Sequence, residues 1–340
     1  MMQEIPVRKA VGKVLYHDIT CIVPGEFAGR AFKKGHVIGS DDIPKLLNLG
    51  KENIYILNLE EGFVHENGAA VRIAEAAIGP GIRMSEPVEG KVTMTAEASG
   101  LLKVNVAALS RINAIDEMAL ATLHTNQQVT PGKQIAGTRI IPLYTKEDKL
   151  REVEAICREN APVISIKPFK RLKVGLVTTG SEVYGGRIED RFGPVVREKF
   201  DKLGSAVMRQ ILVSDDVAMT VKAIHDLLSE GAEMIVATGG MSVDPDDRTP
   251  AGIRAAGATV VTYGSPVFPG AMFMLAYIGK VPVIGLPGCA MYRKATIFDL
   301  VVSRILAGEA VTRAEITEMG HGGFCAGCTE CRYPNCGFGK

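Results

Sequence analysis

The sequence of 340 residues predicts an α/β fold in which a mostly parallel, doubly wound sheet of three layers follows smaller mixed α+β regions. After Leu172, short apolar segments alternate with amphipathic segments of helix length, an order typical of a parallel sheet covered on both faces. Three of the apolar segments end in polar loops that contain glycine. Loops at the carboxyl ends of neighbouring parallel strands meet in one crevice, so we expect a ligand site there.

Composition and charge exclude several classes of protein. The chain is 46% hydrophobic and 23% charged, which is ordinary for a globular protein. Its 39 basic and 38 acidic side chains nearly cancel, so charge gives no support for a nucleic-acid or membrane-surface partner. No apolar run approaches the roughly 20 residues of a membrane span, and the first residues lack the apolar core of a signal peptide. We therefore expect a cytoplasmic protein.

Residues 1–62 are predicted to form a small mixed β/α region, and residues 63–168 an α+β middle domain. In the first region the predicted elements are strands at 11–15 and 53–57, a turn at Pro24-Gly25, a hairpin at 31–39, and a helix from Asp41 to Leu47 that ends before Gly50. In the second they are helices at 69–77 and 150–160, a helix or helix pair at 107–123, strands at 90–95, 101–106 and 140–144, and a hairpin turn at 129–136.

Residues 169–310 are predicted to form the doubly wound domain, followed by a cysteine-rich tail at 311–340. The predicted strands are 173–177, 206–213, 234–238 and 259–262, with a hairpin at 272–286. The predicted helices are 195–203, 217–230, 249–256 and 291–306, several of them ended by glycine.

The loops after these strands combine glycines with carboxylates. They are Thr178-Thr179-Gly180-Ser181-Glu182, Asp215-Asp216, Thr238-Gly239-Gly240 with Asp244, Asp246 and Asp247, and Gly285-Leu286-Pro287-Gly288. Glycines let backbone N–H groups approach an anion, whereas carboxylates repel one. Together they indicate an anion bridged by a divalent cation, such as a phosphorylated ligand with Mg²⁺. Two simpler interpretations stay open: Asp247 or Thr249 caps the helix at Pro250, and one member of Asp215-Asp216 caps the next helix.

Residues Lys173 to Gly308 resemble the molybdopterin-binding domain shared by the MoeA-like molybdenumtransferases and the MogA-like adenylyltransferases. The matching motifs are Thr178-Thr179-Gly180-Ser181-Glu182-Val183, Asp215-Asp216, Thr238-Gly239-Gly240-Met241-Ser242-Val243 with Asp247, Pro269-Gly270, and Gly285-Leu286-Pro287-Gly288. Ser242 and the Thr-Gly-Ser-Glu loop are closer to the MoeA-like branch, whose N-terminal part residues 1 to about 60 resemble more loosely.

The resemblance implies a protein of molybdenum cofactor biosynthesis that binds molybdopterin or its adenylate and exchanges molybdate in a Mg²⁺-dependent reaction. Glu182, Asp216 and Asp247 would then be the catalytic residues, with Glu182 and Asp247 as Mg²⁺ ligands. The implied pterin-binding residues are Thr179, Gly180, Ser181, Gly239, Gly240, Ser242, Asp244, Pro269, Gly270, Pro287 and Gly288. The family also implies a homodimer.

The chain departs from the family pattern at several positions. Phe268 and Ala271 flank Pro269-Gly270 where the family has lysines, and Cys289 replaces an asparagine. Lost lysines weaken the case for molybdate insertion more than the case for pterin binding. The alternative is therefore a non-catalytic carrier or sensor that passes the cofactor to a molybdoenzyme or another protein of the pathway. A dinucleotide-dependent dehydrogenase is disfavoured, because no Gly-x-Gly-x-x-Gly joins the first strand to its helix.

Four cysteines lie close together in the tail, at Cys325, Cys328, Cys331 and Cys336. This spacing predicts a metal site, either Zn²⁺ or an iron–sulfur cluster. His321 is a further candidate ligand, and a tail with incidental thiols is the alternative. Because residues 320–340 are rich in glycine and poor in apolar side chains, we expect them to fold only around such a metal.

Overall fold

The computed structural model describes residues 3–23, 27–56 and 62–340. The predicted turn at Pro24-Gly25 and the end of the predicted strand 53–57 lie outside these residues. Among the residues that are described, no helix is both long and apolar enough to cross a membrane.

The strands and helices are numbered in chain order. The strands are β1 (Gln3–Pro6), β2 (Ile19–Val23), β3 (Phe27–Phe32), β4 (Asn53–Ile56), β5 (Phe63–His65), β6 (Ile82–Met84), β7 (Val92–Ala96), β8 (Gly100–Val104), β9 (Met118–Thr122), β10 (Gln128–Val129), β11 (Gln134–Ile140), β12 (Tyr144–Lys146), β13 (Ile164–Pro168), β14 (Lys173–Thr179), β15 (Ala206–Val213), β16 (Met234–Thr238), β17 (Thr259–Tyr263), β18 (Met274–Ile278) and β19 (Val281–Leu286). The α-helices are α1 (Asp42–Asn48), α2 (Glu66–Ala77), α3 (Val106–Asn113), α4 (Glu147–Glu159), α5 (Ser181–Tyr184), α6 (Phe192–Lys202), α7 (Val217–Ser229), α8 (Thr249–Ala255), α9 (Ile297–Leu306) and α10 (Arg313–Glu318).

The chain divides into two compact units. Unit 1 comprises Met1–Ala96, Val104–Leu123 and Gly132–Ser165, and unit 2 comprises Glu97–Lys103, His124–Pro131 and Ile166–Lys340. The finer predicted division at residues 62, 168 and 310 stays a prediction.

Unit 2 is built on a six-stranded sheet with the order β15-β14-β16-β19-β18-β17. The first four strands run parallel, and β18 and β17 continue the sheet as antiparallel strands. Alternate residues face opposite sides: Leu176 packs with Phe200 of α6 and Phe298 of α9, whereas Val177 packs with Ile224 of α7. Helices therefore cover both faces of the sheet, and the predicted doubly wound arrangement is confirmed.

Unit 1 contains an antiparallel sheet with the order β6-β7-β11-β9 and three two-stranded pairs, β1-β4, β2-β3 and β12-β5. Helix α2 packs against β7, β11 and α4. It buries Ile73, Ala74 and Ala77, whereas Val71 of the same helix is only partly covered.

Five sequence predictions of secondary structure in the first 144 residues are wrong. The predicted hairpin turn at 129–136 joins no hairpin, because β10 pairs with β8 whereas β11 pairs with β7 and β9. Residues 107–123 form α3 and then β9 instead of a helix pair, because β9 pairs with β11 and alternates buried Met118 and Leu120 with more exposed alanines. Pairing overrides the high helix propensity of alanine, leucine and methionine here. The predicted strand 140–144 straddles the end of β11 and the start of β12. The predicted strand 11–15 contains isolated bridges at Val14 and Leu15, and the hairpin near 31–39 instead joins β2 and β3.

The predicted helix 291–306 begins six residues later than expected. A short 3-10 turn at Gly288–Met291 follows β19, and α9 starts at Ile297 after a capping box made by Thr296 and Asp299. Residues 292–296 are therefore an irregular loop in unit 2.

The cysteine-rich tail packs against the hydrophobic core of unit 2, contrary to the expectation that it has too few apolar side chains to do so. Phe338 is 5% exposed and joins the same core as α9, with Tyr333 against it. The tail also pairs with the loop after β17: Phe268 N donates to Gly323 O (2.8 Å), and Cys325 N donates to Phe268 O (2.8 Å). Helix α10 was not predicted from the sequence, although a capping box of Thr312 and Glu315 marks its start.

Candidate functional site

A cavity of about 970 Å³ opens at the carboxyl ends of β14, β15 and β16. We call it the acidic cavity, because carboxylates dominate its charged lining. Its lining includes Thr179, Gly180, Glu182, Glu189, Arg191, Asp215, Gly239, Gly240, Asp244, Asp246, Asp247 and Met291. The crevice predicted from the strand-end loops is therefore present, and it brings together the loops after three neighbouring strands.

The Gly239-Gly240 turn fits closely against the end of β14. Both residues have positive φ, 83° and 51°, and a Cβ on Gly239 would lie 2.1 Å from the carbonyl oxygen of Thr179. Glycine is required here by both backbone conformation and space. The turn leaves its backbone exposed to the cavity, as an anion-binding loop needs.

A buried set of threonine hydroxyls fixes the same turn. Thr249 Oγ1 lies 2.8 Å from Thr179 Oγ1 and donates to Gly239 O at 2.8 Å, while Thr179 Oγ1 contacts Thr238 O at 3.2 Å. Thr249 N also donates to Gly240 O. The Thr249 hydroxyl thus holds the glycine turn, and the interpretation of Thr249 as a helix cap is wrong.

Asp247 closes the loop that leads into α8. Its Oδ2 accepts a hydrogen bond from Asp244 N at 3.0 Å. The residue at the N-cap position of α8 is Arg248, and its side chain makes no capping hydrogen bond. The capping interpretation is therefore also wrong for Asp247. Its carboxylate lies at the cavity wall with Glu182 and Asp244, both of them exposed.

The two aspartates after β15 have different roles. Asp216 caps α7 through Met219 N (2.7 Å) and is not among the cavity-lining residues, so the capping interpretation holds for it. Asp215 lines the cavity, and its Oδ2 accepts from Ser181 N (2.8 Å) and Ser181 Oγ (2.9 Å). Asp215 therefore positions the loop that carries Glu182, a role that the sequence analysis did not assign.

A second cavity, of about 570 Å³, adjoins the first and shares Gly239, Gly240, Asp247 and Met291 with it. We call it the apolar cavity. Ser242, Pro269, Gly270, Pro287 and Gly288 line it as predicted, together with Phe268, Ala271, Met272, Cys289 and Tyr292. Among its described lining residues, Asp247 is the one charged side chain. Burial raises the pKa of the Cys289 thiol, so this thiol stays protonated at neutral pH.

Metal-binding residues do not form a ready-made cluster. Within residues 3–23, 27–56 and 62–340, no three His, Cys, Asp or Glu side chains converge closely enough to hold a metal ion. All four tail cysteines are free thiols; Cys328 and Cys331 are exposed, whereas Cys325 and Cys336 are half-buried against the core. In this arrangement the tail does not fit a four-thiolate site, and Zn²⁺ or an iron–sulfur cluster stays a prediction, as does Mg²⁺.

Residues 175–307 match a family model described as "Probable molybdopterin binding domain". The predicted resemblance is confirmed for this segment. Residues 4–58 match a second model, described as "Domain of unknown function (DUF8806)".

Curated relatives match parts of the chain. A CinA-like protein of Mycobacterium sp. is 34% identical over 77 residues, 23% of this chain and 18% of its own length. The molybdopterin adenylyltransferase of Pyrococcus furiosus is 31% identical over 80 residues, 24% of this chain and 47% of its own. The molybdopterin molybdenumtransferase of Staphylococcus aureus is 27% identical over 130 residues, 36% of this chain and 31% of its own. The chain thus spans less than half the length of each of these relatives, and it has homologues in molybdenum cofactor biosynthesis.

Proposed function

We propose that this protein binds molybdopterin or its adenylate in the acidic and apolar cavities and takes part in Mg²⁺-dependent insertion of molybdate. The observation that carries the proposal is the gathering of the strand-end loops around two adjoining cavities that share Gly239, Gly240 and Asp247. Their volumes, about 970 and 570 Å³, are within the range of small-ligand sites.

Each cavity suits one part of such a ligand. Backbone N–H groups of the Gly239-Gly240 turn would bind the phosphate, as glycine-rich turns do. Phe268 and Tyr292, which are 54% and 72% exposed at the apolar cavity, offer flat surfaces for a heteroaromatic ring. Asp247 and Glu182 would hold Mg²⁺, which proteins commonly bind through one or two carboxylates plus substrate phosphates. When bound, that ion would neutralise the negative charge of phosphate and oxyanion.

An isosteric substitution of Asp247 tests the proposal. Asp247→Asn keeps an oxygen that can accept from Asp244 N, so the loop should stay intact while the charge is lost. We expect wild-type protein to bind molybdopterin more tightly with Mg²⁺ than without, and the variant to lose this difference. Asp201→Asn, an exposed carboxylate on α6, is the matched control. Absence of detectable pterin binding by wild-type protein would contradict the proposal.

A carrier or sensor is the second candidate. It is favoured by the apolar residues Phe268 and Ala271, which flank Pro269-Gly270 and supply no charge to an oxyanion. Here the residues around Asp247 would bind pterin for delivery to a molybdoenzyme or another pathway protein. Pterin binding without molybdate-dependent product would support this candidate, whereas turnover that Asp247→Asn abolishes would exclude it.

We also propose a homodimer, which the family resemblance implies. Light scattering of the full chain at several concentrations measures its mass directly, and a monomer throughout would remove this proposal.

A further inference from the structure

A third cavity in unit 2, of about 600 Å³, has a basic lining. It shares Met291 with the acidic and apolar cavities and Tyr292 with the apolar cavity. We call it the basic cleft. Its cationic lining residues are Lys199, Lys202, Arg293 and Lys294, and its carboxylates are Glu198 and Asp299.

Two of the four cations are already paired with carboxylates of the protein. Lys199 Nζ pairs with Asp299 Oδ1 at 2.6 Å, and Lys202 Nζ pairs with Glu198 Oε1 at 2.5 Å. Arg293 and Lys294 form no ion pair within the described parts of the chain. The cleft therefore carries two positive charges that are available to a ligand.

The backbone of the loop that carries Arg293 and Lys294 is fixed by a hydrogen bond from Lys199. Lys199 is only 11% exposed, and besides Asp299 it donates to the carbonyl oxygen of Lys294 at 2.9 Å. Asp299 is also part of the capping box of α9, since its Oδ2 accepts from Thr296 N at 2.8 Å. The loop at residues 292–296 is thus fixed at its C-terminal end. Because the loop is already ordered, it loses less conformational entropy when a ligand binds.

The neighbouring cavities lack such charge. The described lining of the acidic cavity has one cation, Arg191, and six carboxylates. The described lining of the apolar cavity has no cation. Arg293 and Lys199 nevertheless act on the apolar cavity, because they partly offset the rise that burial causes in the pKa of Cys289. The positive field of the cleft therefore extends to the wall of the proposed pterin site.

We propose that the basic cleft is a subsite for a tetrahedral oxyanion, bound by Arg293 and Lys294 beside the pterin-binding cavities. The proposal rests on the proposed function and deepens it, because it locates the second anionic substrate. Arginine presents a planar fork of donors to an oxyanion, and lysine adds a mobile ammonium. The two residues would supply the charge that is missing at Phe268 and Ala271. Molybdate and a phosphate monoester share this chemistry.

Titration calorimetry of the full chain with molybdate, inorganic phosphate and AMP as separate probes tests the subsite. The double variant Arg293→Ala/Lys294→Ala removes both free cations, and we expect it to weaken oxyanion binding by about 10-fold or more. Lys280→Ala/Arg313→Ala removes two exposed cations elsewhere in unit 2, so it is the control with the same net charge. The exchange variant Arg293→Lys/Lys294→Arg should retain most of the affinity. Tighter binding of molybdate identifies the metal oxyanion, and tighter binding of AMP identifies the phosphate end of an adenylate.

Two results would overturn the subsite. The first is no binding of any probe by wild-type protein at concentrations up to about 1 mM. The second is equal affinities of the alanine double variant and its control. Molybdopterin binding is measured in parallel. If wild-type protein binds pterin and either of these two results is found, the proposed function stands and the subsite is rejected. Protein that binds the oxyanion through Arg293 and Lys294 but does not bind pterin supports the subsite and rejects the proposed function.

Discussion

Replacing Gly239 by alanine should destabilise the protein more than replacing a glycine of the same conformation elsewhere. Gly239 and Gly257 both have left-handed backbones, with φ of 83° and 87°. A Cβ at Gly257 would meet nothing within 4 Å, whereas a Cβ at Gly239 would lie 2.1 Å from Thr179 O and 2.8 Å from Thr179 Oγ1. The pair of variants therefore separates backbone strain from the cost of the close approach.

The two costs can be worked out separately. An alanine in the left-handed region costs about 1–2 kcal/mol, and this is all we expect for Gly257→Ala. In Gly239→Ala the end of β14 must also move away by more than an ångström, because its carbonyl is backbone and cannot rotate aside. That movement breaks hydrogen bonds among Thr179, Thr238 and Thr249, worth about 1–3 kcal/mol when buried groups lose partners. We expect a total of about 2–5 kcal/mol.

Urea unfolding followed by far-ultraviolet circular dichroism measures both variants, since the chain has no tryptophan to report by fluorescence. Gly239→Ala should unfold at clearly lower urea than Gly257→Ala. Free energies of unfolding that agree within about 0.5 kcal/mol, the usual limit for independent effects, would refute the reasoning that the close approach of the turn requires glycine.

Two further predictions concern other parts of unit 2. Although burial raises the pKa of Glu309, hydrogen bonds from Lys103 (2.7 Å) and Arg304 (2.9 Å) outweigh it and lower that pKa to about 2, from an ordinary 4.5. Because the folded pKa is depressed, this stabilisation is complete above pH 4.5 and is lost as the pH falls towards 2. Glu309→Gln should therefore cost about 2 kcal/mol at pH 7 and much less near pH 2.5, as urea unfolding at both values would show; an equal cost at both would contradict the assignment. For the tail, metal analysis of protein purified without oxygen should find Zn²⁺ or iron, with absorption at about 400 nm only for an iron–sulfur cluster. Less than about a tenth of an equivalent of both metals would contradict the metal prediction, and loss of the metal in Cys328→Ser but not in Cys21→Ser would assign it to the tail.

The sheet of unit 2 could be predicted because its signals are local. The segments 206–213 and 234–238 each follow a glycine turn and are followed by polar loop residues, and β15 and β16 have these bounds. The turn at Gly279-Lys280 likewise fixes the hairpin of β18 and β19. Glycines at helix ends mark boundaries independently of the rest of the fold.

Unit 1 was harder to predict because its strands depend on distant partners. The segment Met118–Thr122 has the composition of a helix, and it is a strand because it pairs with β11 and because Asn113 bonds both backbone groups of Leu120. The side-chain propensities of a short segment cannot reveal such a partner.

The candidate site was predicted at the level of loops, but not of individual side chains. Asp215 and Asp216 are chemically identical neighbours, and either could cap a helix. The first turn of α7 begins at Val217, so Asp216 becomes the cap and Asp215 is left to bind Ser181 and to line the cavity. A shift of one residue in the helix start would exchange the two roles. This explains why the sequence identifies the pair but not the member that faces the ligand.

The basic cleft could not be predicted from the sequence at all, and the reason is the separation of its parts. Arg293 and Lys294 lie in a segment that resembles the start of a helix, and as helical residues they would be two ordinary surface cations. They belong to a loop because α9 begins only at Ile297, where the capping box of Thr296 and Asp299 ends the irregular stretch. Asp299 in turn pairs with Lys199, one hundred residues earlier in the chain, and the same lysine binds the backbone of Lys294. Asp299 thus both completes the capping box and pairs with Lys199. Replacing Asp299 by alanine should therefore release the loop and leave the buried Lys199 without its partner. The charge of the cleft depends in this way on a carboxylate that no ligand needs to touch.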